Sequence, residues 1–263
     1  MKIIPKKSLG QNFLIDKNIL DKIVNLINIE NKSVLEIGPG TGNLTNLILK
    51  KKPKKFLAIE KDYTLALNLK KNFKNKIKII NNDVLNINEK LLSNEKLIVF
   101  GNLPYNISTE ILCKWILNLD TDKFWFHSLI LMFQKEVADR IISKFNTSKY
   151  GRLSILANWK LNIKKIIDIK PNSFKPIPKI DSSLLFFSPK KDFFKIKDPN
   201  NLEKITRIFF NHRRKMIKKP YNQLFRDNNV VMKKLEINMN LRPQNLDFET
   251  YYKLADELGN LRG

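Results

Sequence analysis

The sequence predicts an α/β protein. An open, mainly parallel sheet of seven strands is expected over residues 1–189, followed by a small all-α domain over 190–263. Three observations carry this expectation. Short, nearly continuous apolar runs alternate with amphipathic helical stretches, the pattern of strands buried on both faces. A glycine turn joins the first of these runs to a helix, as in nucleotide-binding βα units. After Pro189 the apolar runs stop and helical periodicity takes over.

In chain order, Ser8-Leu9-Gly10-Gln11-Asn12-Phe13-Leu14 comes first. The amides of Gln11 and Asn12 could hold a ligand edge, and taken alone they suit a loop and cap equally well. Asp16 predicts an N-cap for a helix burying Ile19, Leu20, Ile23, Val24 and Ile27. Ser33–Ile37 is the first strand, followed by Gly38-Pro39-Gly40-Thr41-Gly42 and a helix beginning at Leu44. The glycines admit close backbone approach, and the helix start presents free N–H groups. No Lys-Ser/Thr pair follows them, which argues against a P-loop. Phe56–Ile59 is the second strand and ends on Glu60, 22 positions beyond Gly38, where a carboxylate can accept both ribose hydroxyls. Ile77–Ile80 is the third strand, and Asp83 beyond it can accept from an adenine amino group. A glycine loop, Glu60 and Asp83 at three successive strand ends point to an adenosine-containing cofactor. With Glu36 they form an acidic edge, which suits the positive sulfonium of S-adenosylmethionine better than a phosphate.

The fourth strand, Leu97–Phe100, leads into Gly101-Asn102-Leu103-Pro104-Tyr105. The carboxyl end of a strand is where open α/β sheets bind ligands. Asn102 offers a side-chain carbonyl, Leu103 and Pro104 offer backbone carbonyls, and Tyr105 offers a flat ring. Acceptors beside an aromatic platform suit a planar substrate carrying an amino group, although a proline turn closing a strand would look the same. Ser108 or Thr109 can cap the next helix, with Ile111, Leu112, Trp115, Ile116 and Leu119 on its buried face. Phe124–Phe133, Asn162–Lys170 and Leu184–Phe187 complete the seven strands. Phe174, in a proline-stiffened loop, is expected either to present a second stacking face or to anchor the core. Past the linker, helices are expected at Leu202–Phe209, through Asn211-His212-Arg213-Arg214-Lys215-Met216-Ile217-Lys218-Lys219, at Val230–Ile237 and at Phe248–Leu258.

Composition narrows the classes. There are 49 Lys and Arg against 25 Asp and Glu, a formal charge of +24. A polyanion such as nucleic acid is the natural partner. Lys far outnumbers Arg, as an AT-rich coding sequence would also produce. The basic run with Phe209 and Phe210 before it is read as contact with a nucleic-acid backbone, against the alternative of a solvated helix face. Cys113 is the single cysteine and His127 and His212 the two histidines, so neither a disulfide within the chain nor a Cys/His zinc site is expected. No metal, membrane span or signal peptide is expected, and the cytoplasm is the expected location.

Taken together, these stretches resemble the KsgA-type rRNA adenine dimethyltransferases. The resemblance runs from Leu9 to the C-terminal helices. It is carried by Gly10–Leu14, Glu36–Gly42, Gly101–Thr109, Gln134–Val137, Tyr150–Ser154 and the stretch Phe174-x-Pro-x-Pro-Lys-Ile-Asp-Ser, in this order and spacing. The family implies a Rossmann-like S-adenosylmethionine-dependent methyltransferase sheet on 1–189 and a helical RNA-binding domain on 190–263. It implies transfer of methyl groups to N6 of two adjacent adenosines near the 3′ end of 16S rRNA, and a role late in small-subunit biogenesis. A monomer is expected, with 16S rRNA or a small-subunit precursor as partner. By motif, cofactor contacts fall on Asn12, Leu14, Gly38, Glu60, Asp83 and Asn102. The target-adenine site falls on Asn102, Leu103, Pro104, Tyr105 and Phe174, and RNA contacts fall on Arg213, Arg214 and Lys215. One departure stands out. Similar proteins usually continue past Lys215 with Thr and an Arg-Asn-Ser-Leu-like segment, whereas this chain has Met216-Ile217-Lys218-Lys219-Pro220-Tyr221. Two alternatives stay open: an Erm-type enzyme acting on 23S rRNA, and a non-catalytic RNA-binding or assembly factor on the same fold.

Overall fold

The computed structural model describes residues 5–119, 123–226 and 229–261. By contacts the chain sorts into two compact units. The first is Met1–Ile111 with Asp122–Ala138 and Lys164–Pro189; the second is Leu112–Thr121 with Asp139–Ile163 and Lys190–Gly263.

The first unit is built on a mixed sheet. Its strands are β2 (Ser33–Ile37), β3 (Lys55–Glu60), β4 (Lys78–Asn81), β5 (Leu97–Asn102), β6 (Phe126–Gln134), β7 (Leu161–Ile169) and β9 (Ser182–Pro189), in the order β4-β3-β2-β5-β6-β9-β7. The apolar runs named from sequence form these seven strands. β2, β3, β4, β5 and β6 pair in parallel, and β9 runs antiparallel to β6. Parallel pairing needs crossovers, and three are helical: α2 (Asn43–Lys50), α3 (Tyr63–Phe73) and α4 (Ser108–Leu117). The chain runs outward through β2, β3 and β4, then returns to the other side of β2 with β5. That reversal opens a crevice between the carboxyl ends of β2 and β5, the switch point at which doubly wound sheets bind ligands.

Local chemistry sets the element starts. Asp16 caps α1 (Lys17–Val24), accepting from the N–H of Asn18 at 3.0 Å and of Ile19 at 3.3 Å. Asp62 caps α3 through Thr64 N at 2.9 Å. α4 buries Ile111, Leu112, Trp115 and Ile116, and Leu119 just beyond it is buried too, as their spacing predicts. Ser108 is the first helical residue rather than a cap, and its Oγ donates back to Tyr105 O at 3.3 Å.

A second, two-stranded ribbon was not expected. β1 (Phe13–Leu14) pairs antiparallel with β8 (Phe174–Lys175), Leu14 opposite Phe174. Ile15 N donates to Ser173 O at 2.8 Å and Ser173 Oγ to Asp16 Oδ2 at 3.0 Å, which fastens the same junction. Phe174 therefore lies in a strand, not a loop. Its ring is 1% exposed and belongs to the core cluster with Leu14, Leu20 and Leu184, so the core-anchoring alternative describes it and an exposed stacking face does not.

The second unit holds α6 (Arg152–Lys160), α7 (Pro199–Asn211), α8 (Lys218–Phe225), α9 (Asn229–Lys234) and α10 (Phe248–Asn260). α5 (Lys135–Ile142) runs from the first unit into the second. Aromatic rings fill the second unit's core. Tyr150 packs edge-on to Phe210 and Phe248, and Phe209 packs edge-on to Tyr251. The continuous helix expected through Asn211–Lys219 is corrected here. α7 ends at Asn211, residues 212–215 form a turn, and α8 starts only at Lys218. Among the described residues no helix is long and apolar enough to cross a membrane.

Candidate active site

Two adjoining cavities share Phe13, Gly38 and Asn102, and the larger of them opens at the switch point, wholly within the first unit. Asn12, Gly38, Glu60, Asp83, Asn102, Leu103, Pro104 and Tyr105 all line it. Eight of the residues predicted from motif thus meet on one wall. Phe13 and Lys61 join them.

The glycine loop forms its floor. Gly38 has φ +64° and donates to Ile59 O at 2.9 Å, which holds the loop against the end of β3. Gly40 has φ +58°, and a Cβ there would stand 2.7 Å from Phe13 Cδ1. Only glycine satisfies both demands at this position. Glu60, at the tip of β3, is 6% exposed and binds the loop directly. Its Oε2 accepts from Gly40 N at 3.0 Å and its Oε1 from Asp62 N at 2.9 Å. Burial raises its pKa, against the lowering effect of the backbone donors at Asp62 and Gly40. Each oxygen keeps a second lone pair for a hydroxyl donor.

Asn102 closes β5. Its Nδ2 donates to Asn12 O at 2.8 Å. The donor half of the amide is thereby engaged, and Oδ1 is left as the acceptor. Gly101 before it has no side chain to obstruct Leu103: a Cβ would lie 2.9 Å from Leu103 Cδ2 and 3.0 Å from Leu131 Cδ2. Leu103 turns into the core at 1% exposure, and Pro104 O accepts from Ile107 N at 3.1 Å in the following turn. Tyr105 is half-buried, with its hydroxyl 2.5 Å from Ser182 Oγ. Burial raises the phenol's pKa, against the Ser182 hydrogen bond, so the ring stays neutral at physiological pH. Ser182 is fully buried at the start of β9, and sequence gave no sign of this partnership.

The acidic edge expected from Glu36, Glu60 and Asp83 is only partly realised. Glu36 is 2% exposed, accepts from Thr45 Oγ1 at 2.6 Å, and lines the smaller cavity instead. Burial pushes its pKa up to about 8, with Thr45 opposing and Glu60 adding, so it is largely neutral at pH 7. Asp83 pairs with Lys61 Nζ at 2.7 Å while its other oxygen accepts from Leu85 N at 3.0 Å. Asp62, unremarked in the sequence, accepts from Gln11 Nε2 at 3.1 Å and pairs with Lys6 at 3.0 Å, which ties the N-terminal segment over the cavity. Salt bridging and hydrogen bonding outweigh burial there, and its pKa is lowered.

Two residues predicted at the cavity, Leu14 and Phe174, do not line it, and two predicted at or beside a nucleic-acid contact, Arg213 and Phe209, are turned inward. Leu14 is buried on the wall of the smaller cavity, and its backbone O accepts from Asn43 Nδ2 at 2.8 Å. Phe174 lines neither cavity. Arg213, in the second unit, turns inward: its guanidinium donates to Ser148 O and, at 3.4 Å, to Gln244 Oε1. Phe209, expected beside a nucleic-acid contact, is fully buried. Arg214 and Lys215 remain exposed.

Comparison with known proteins gives a consistent result. The family model for ribosomal RNA adenine dimethylase matches residues 5–260. The chain is 66% identical over 258 residues to "Ribosomal RNA small subunit methyltransferase A" of Pelagibacter ubique, covering 98% of each chain. It is 41% identical to the protein of the same name from Mycoplasma mobile, over 96% of this chain and 98% of that one. The crystal structure of a dimethyladenosine transferase from Plasmodium falciparum superposes with a TM-score of 0.79 at 27% identity, covering 94% of this chain and 98% of that one. The 23S rRNA methyltransferase ErmE shares the fold, with a TM-score of 0.66 at 21% identity and coverage of 94% and 99%.

Proposed function

This chain belongs to the ribosomal RNA adenine dimethylase family, and we propose that it dimethylates N6 of two adjacent adenosines near the 3′ end of 16S rRNA. The methyl donor is S-adenosylmethionine, and the reaction belongs to small-subunit biogenesis in the cytoplasm. The protein acts as a monomer. Residues 1–189 carry catalysis and 190–263 contribute RNA contacts, Arg214 and Lys215 among them.

The cavity fits the donor. Glu60 has lone pairs for two ribose hydroxyls, Asp83 for an adenine amino group, and Gly38 leaves the backbone open to close approach. When bound, S-adenosylmethionine supplies an electrophilic methyl on a sulfonium. The rest is the work of the chain's own residues. An adenine amino nitrogen is a poor nucleophile, because its lone pair is delocalised into the ring. Asn102 Oδ1 and Pro104 O accept its hydrogens and turn that lone pair out of conjugation. As positive charge develops on the nitrogen, both acceptors hold it more tightly, which stabilises the transition state in particular. Tyr105 stacks on the base once it has left its helix. No general base is needed before transfer. After the first transfer the thioether departs and the charged nitrogen gives up a proton to water; one N–H then remains, and one acceptor suffices to orient it.

The observation that carries this reading is the Asn102 amide, whose nitrogen is engaged by the Asn12 carbonyl so that its oxygen is left as an acceptor, on the same cavity that Tyr105 lines. The test is methyl transfer from labelled S-adenosylmethionine to small and large ribosomal subunits lacking the modification, with the label mapped to nucleotides. Dimethyladenosine at adjacent positions near the small-subunit 3′ end is expected. Label in the large subunit, or RNA binding without label, overturns the proposal.

A further inference from the structure

Lys175, at the end of β8, and residues 176–181, which lead from it to β9, are not used by the chemistry above. Both ends of this loop are fastened to the candidate site. At its start Lys175 pairs with Phe13, which lines the cavity. At its end Ser182 Oγ meets the Tyr105 hydroxyl at 2.5 Å, and Asp181 O accepts from Lys135 N at 3.0 Å. Asp181 also pairs with Lys170 at 2.9 Å. Between these anchors the side chains face solvent. Ile177 is 65% exposed and Ile180 is 43% exposed, and Lys175 and Lys179 are both exposed. Pro176 and Pro178 restrict φ and remove two N–H donors, so the segment keeps a narrow range of shapes and loses little freedom on docking.

Two bulky aliphatic side chains in water, set between lysines, call for a partner that is apolar and anionic at once. A nucleic-acid strand is such a partner, with base faces for the isoleucines and phosphates for the lysines. A target base must leave its stack to reach Tyr105, and apolar side chains commonly occupy the step so opened. We propose that loop 175–181 is an RNA-contacting lip. Ile177 and Ile180 lie against the bases flanking the extruded adenosine, and Lys175 and Lys179 meet the adjacent phosphates. The inference rests on the function proposed above.

The test places the photo-crosslinker p-benzoylphenylalanine at position 177 of the full chain, which is then irradiated on small subunits lacking the modification. Reverse-transcription stops within a few nucleotides of the methylated adenosines are expected. Stops elsewhere in the RNA, or crosslinks to ribosomal protein alone, overturn the lip. Two loop variants give an independent readout. Ile177→Ser with Ile180→Ser should lower the methylation rate on limiting subunits about tenfold while leaving S-adenosylmethionine affinity unchanged. Lys175→Ala with Lys179→Ala should flatten the salt dependence of subunit binding by a slope of about 1.4, two single-strand phosphate contacts. An unchanged rate and slope overturn the proposal. If the unaltered chain methylates no subunit, the proposed function fails and the lip fails with it. If it methylates but neither crosslinks nor responds in the loop variants, the lip alone fails.

Discussion

Asn102→Ala separates catalysis from cofactor binding. In the function proposed above, the side chain performs two tasks through two atoms. Nδ2 donates to Asn12 O at 2.8 Å, which leaves Oδ1 as the acceptor of a residue that lines the cavity. Losing the donor leaves a partly buried carbonyl to find water, at a cost of about 1 kcal/mol of stability. Losing the acceptor costs more where it counts. A hydrogen bond to a group gaining charge is roughly twice as strong as a neutral one, and removing one preorganised dipole from such a site typically slows the chemical step by about 10²–10³. The variant should therefore fold, bind S-adenosylmethionine within about tenfold of the unaltered chain, and methylate at least a hundredfold more slowly. Single-turnover kinetics with excess enzyme measure the rate, and titration calorimetry measures the affinity. Asn102→Asp is the control on the donor side, because a carboxylate oxygen placed against the Asn12 carbonyl repels it. Equal losses of rate and affinity in Asn102→Ala, or an unchanged rate, would refute the division of labour.

Other expectations follow from the same geometry. Ser182→Ala and Tyr105→Phe remove the two ends of one hydrogen bond, so their effects on the single-turnover rate, each about three- to tenfold, should not add; additive effects in a double-mutant cycle would mean that Ser182 does not act through the Tyr105 hydroxyl. Gly40→Ala combines a left-handed φ with a contact 2.7 Å from Phe13 and should cost about 2–4 kcal/mol of stability, read by denaturant titration, together with cofactor affinity. Glu36 has its folded-state pKa raised to about 8, so its protonated form contributes stability that is complete below the unfolded value near 4.3 and is lost as pH rises through 8. The unaltered chain should lose on the order of 3 kcal/mol between pH 5 and pH 7.5 that Glu36→Gln does not lose, visible as a difference in how Tm varies with pH. In the second unit, Arg214→Ala with Lys215→Ala should reduce the salt slope of RNA binding by about 1 to 2, whereas Arg213→Ala, whose guanidinium is engaged by Ser148 and Gln244, should lower Tm and leave that slope in place.

The sheet was legible because parallel strands are buried on both faces and so appear as apolar runs. Val34, Leu35, Phe56, Leu57, Ile98, Val99 and Leu129 through Phe133 are all buried in the strands they announced. The ribbon of Phe13–Leu14 with Phe174–Lys175 was not legible. Two residues show no period, and their partners lie far along the chain. The helix expected through Asn211–Lys219 fails for a different reason. Charged residues fit a helix surface or a turn equally well, and tertiary bonds decide between them: Arg213 to Ser148 and Gln244, and Ile217 N to Leu241 O at 2.8 Å.

Within the site, residue types at strand ends were readable and their partners were not. The glycine loop, Glu60, Asp83 and Asn102–Tyr105 line one cavity because strand ends at a switch point converge whatever else the chain does. Charge counted along the sequence was a poorer guide. Glu36 lies near the carboxyl end of a wholly buried strand, where Thr45 Oγ1 meets it and burial favours its neutral form. Lys61 partly offsets Asp83, and Lys6 offsets Asp62. Three carboxylates and a positive donor therefore do not amount to an acidic pocket attracting a cation. Glu60 keeps its place through geometry instead, with two backbone donors fixing both oxygens where a ribose could reach them. In the function proposed above, recognition of the donor then rests on directed acceptors. Its affinity should accordingly vary little with ionic strength, whereas RNA binding by a chain of formal charge +24 should vary steeply.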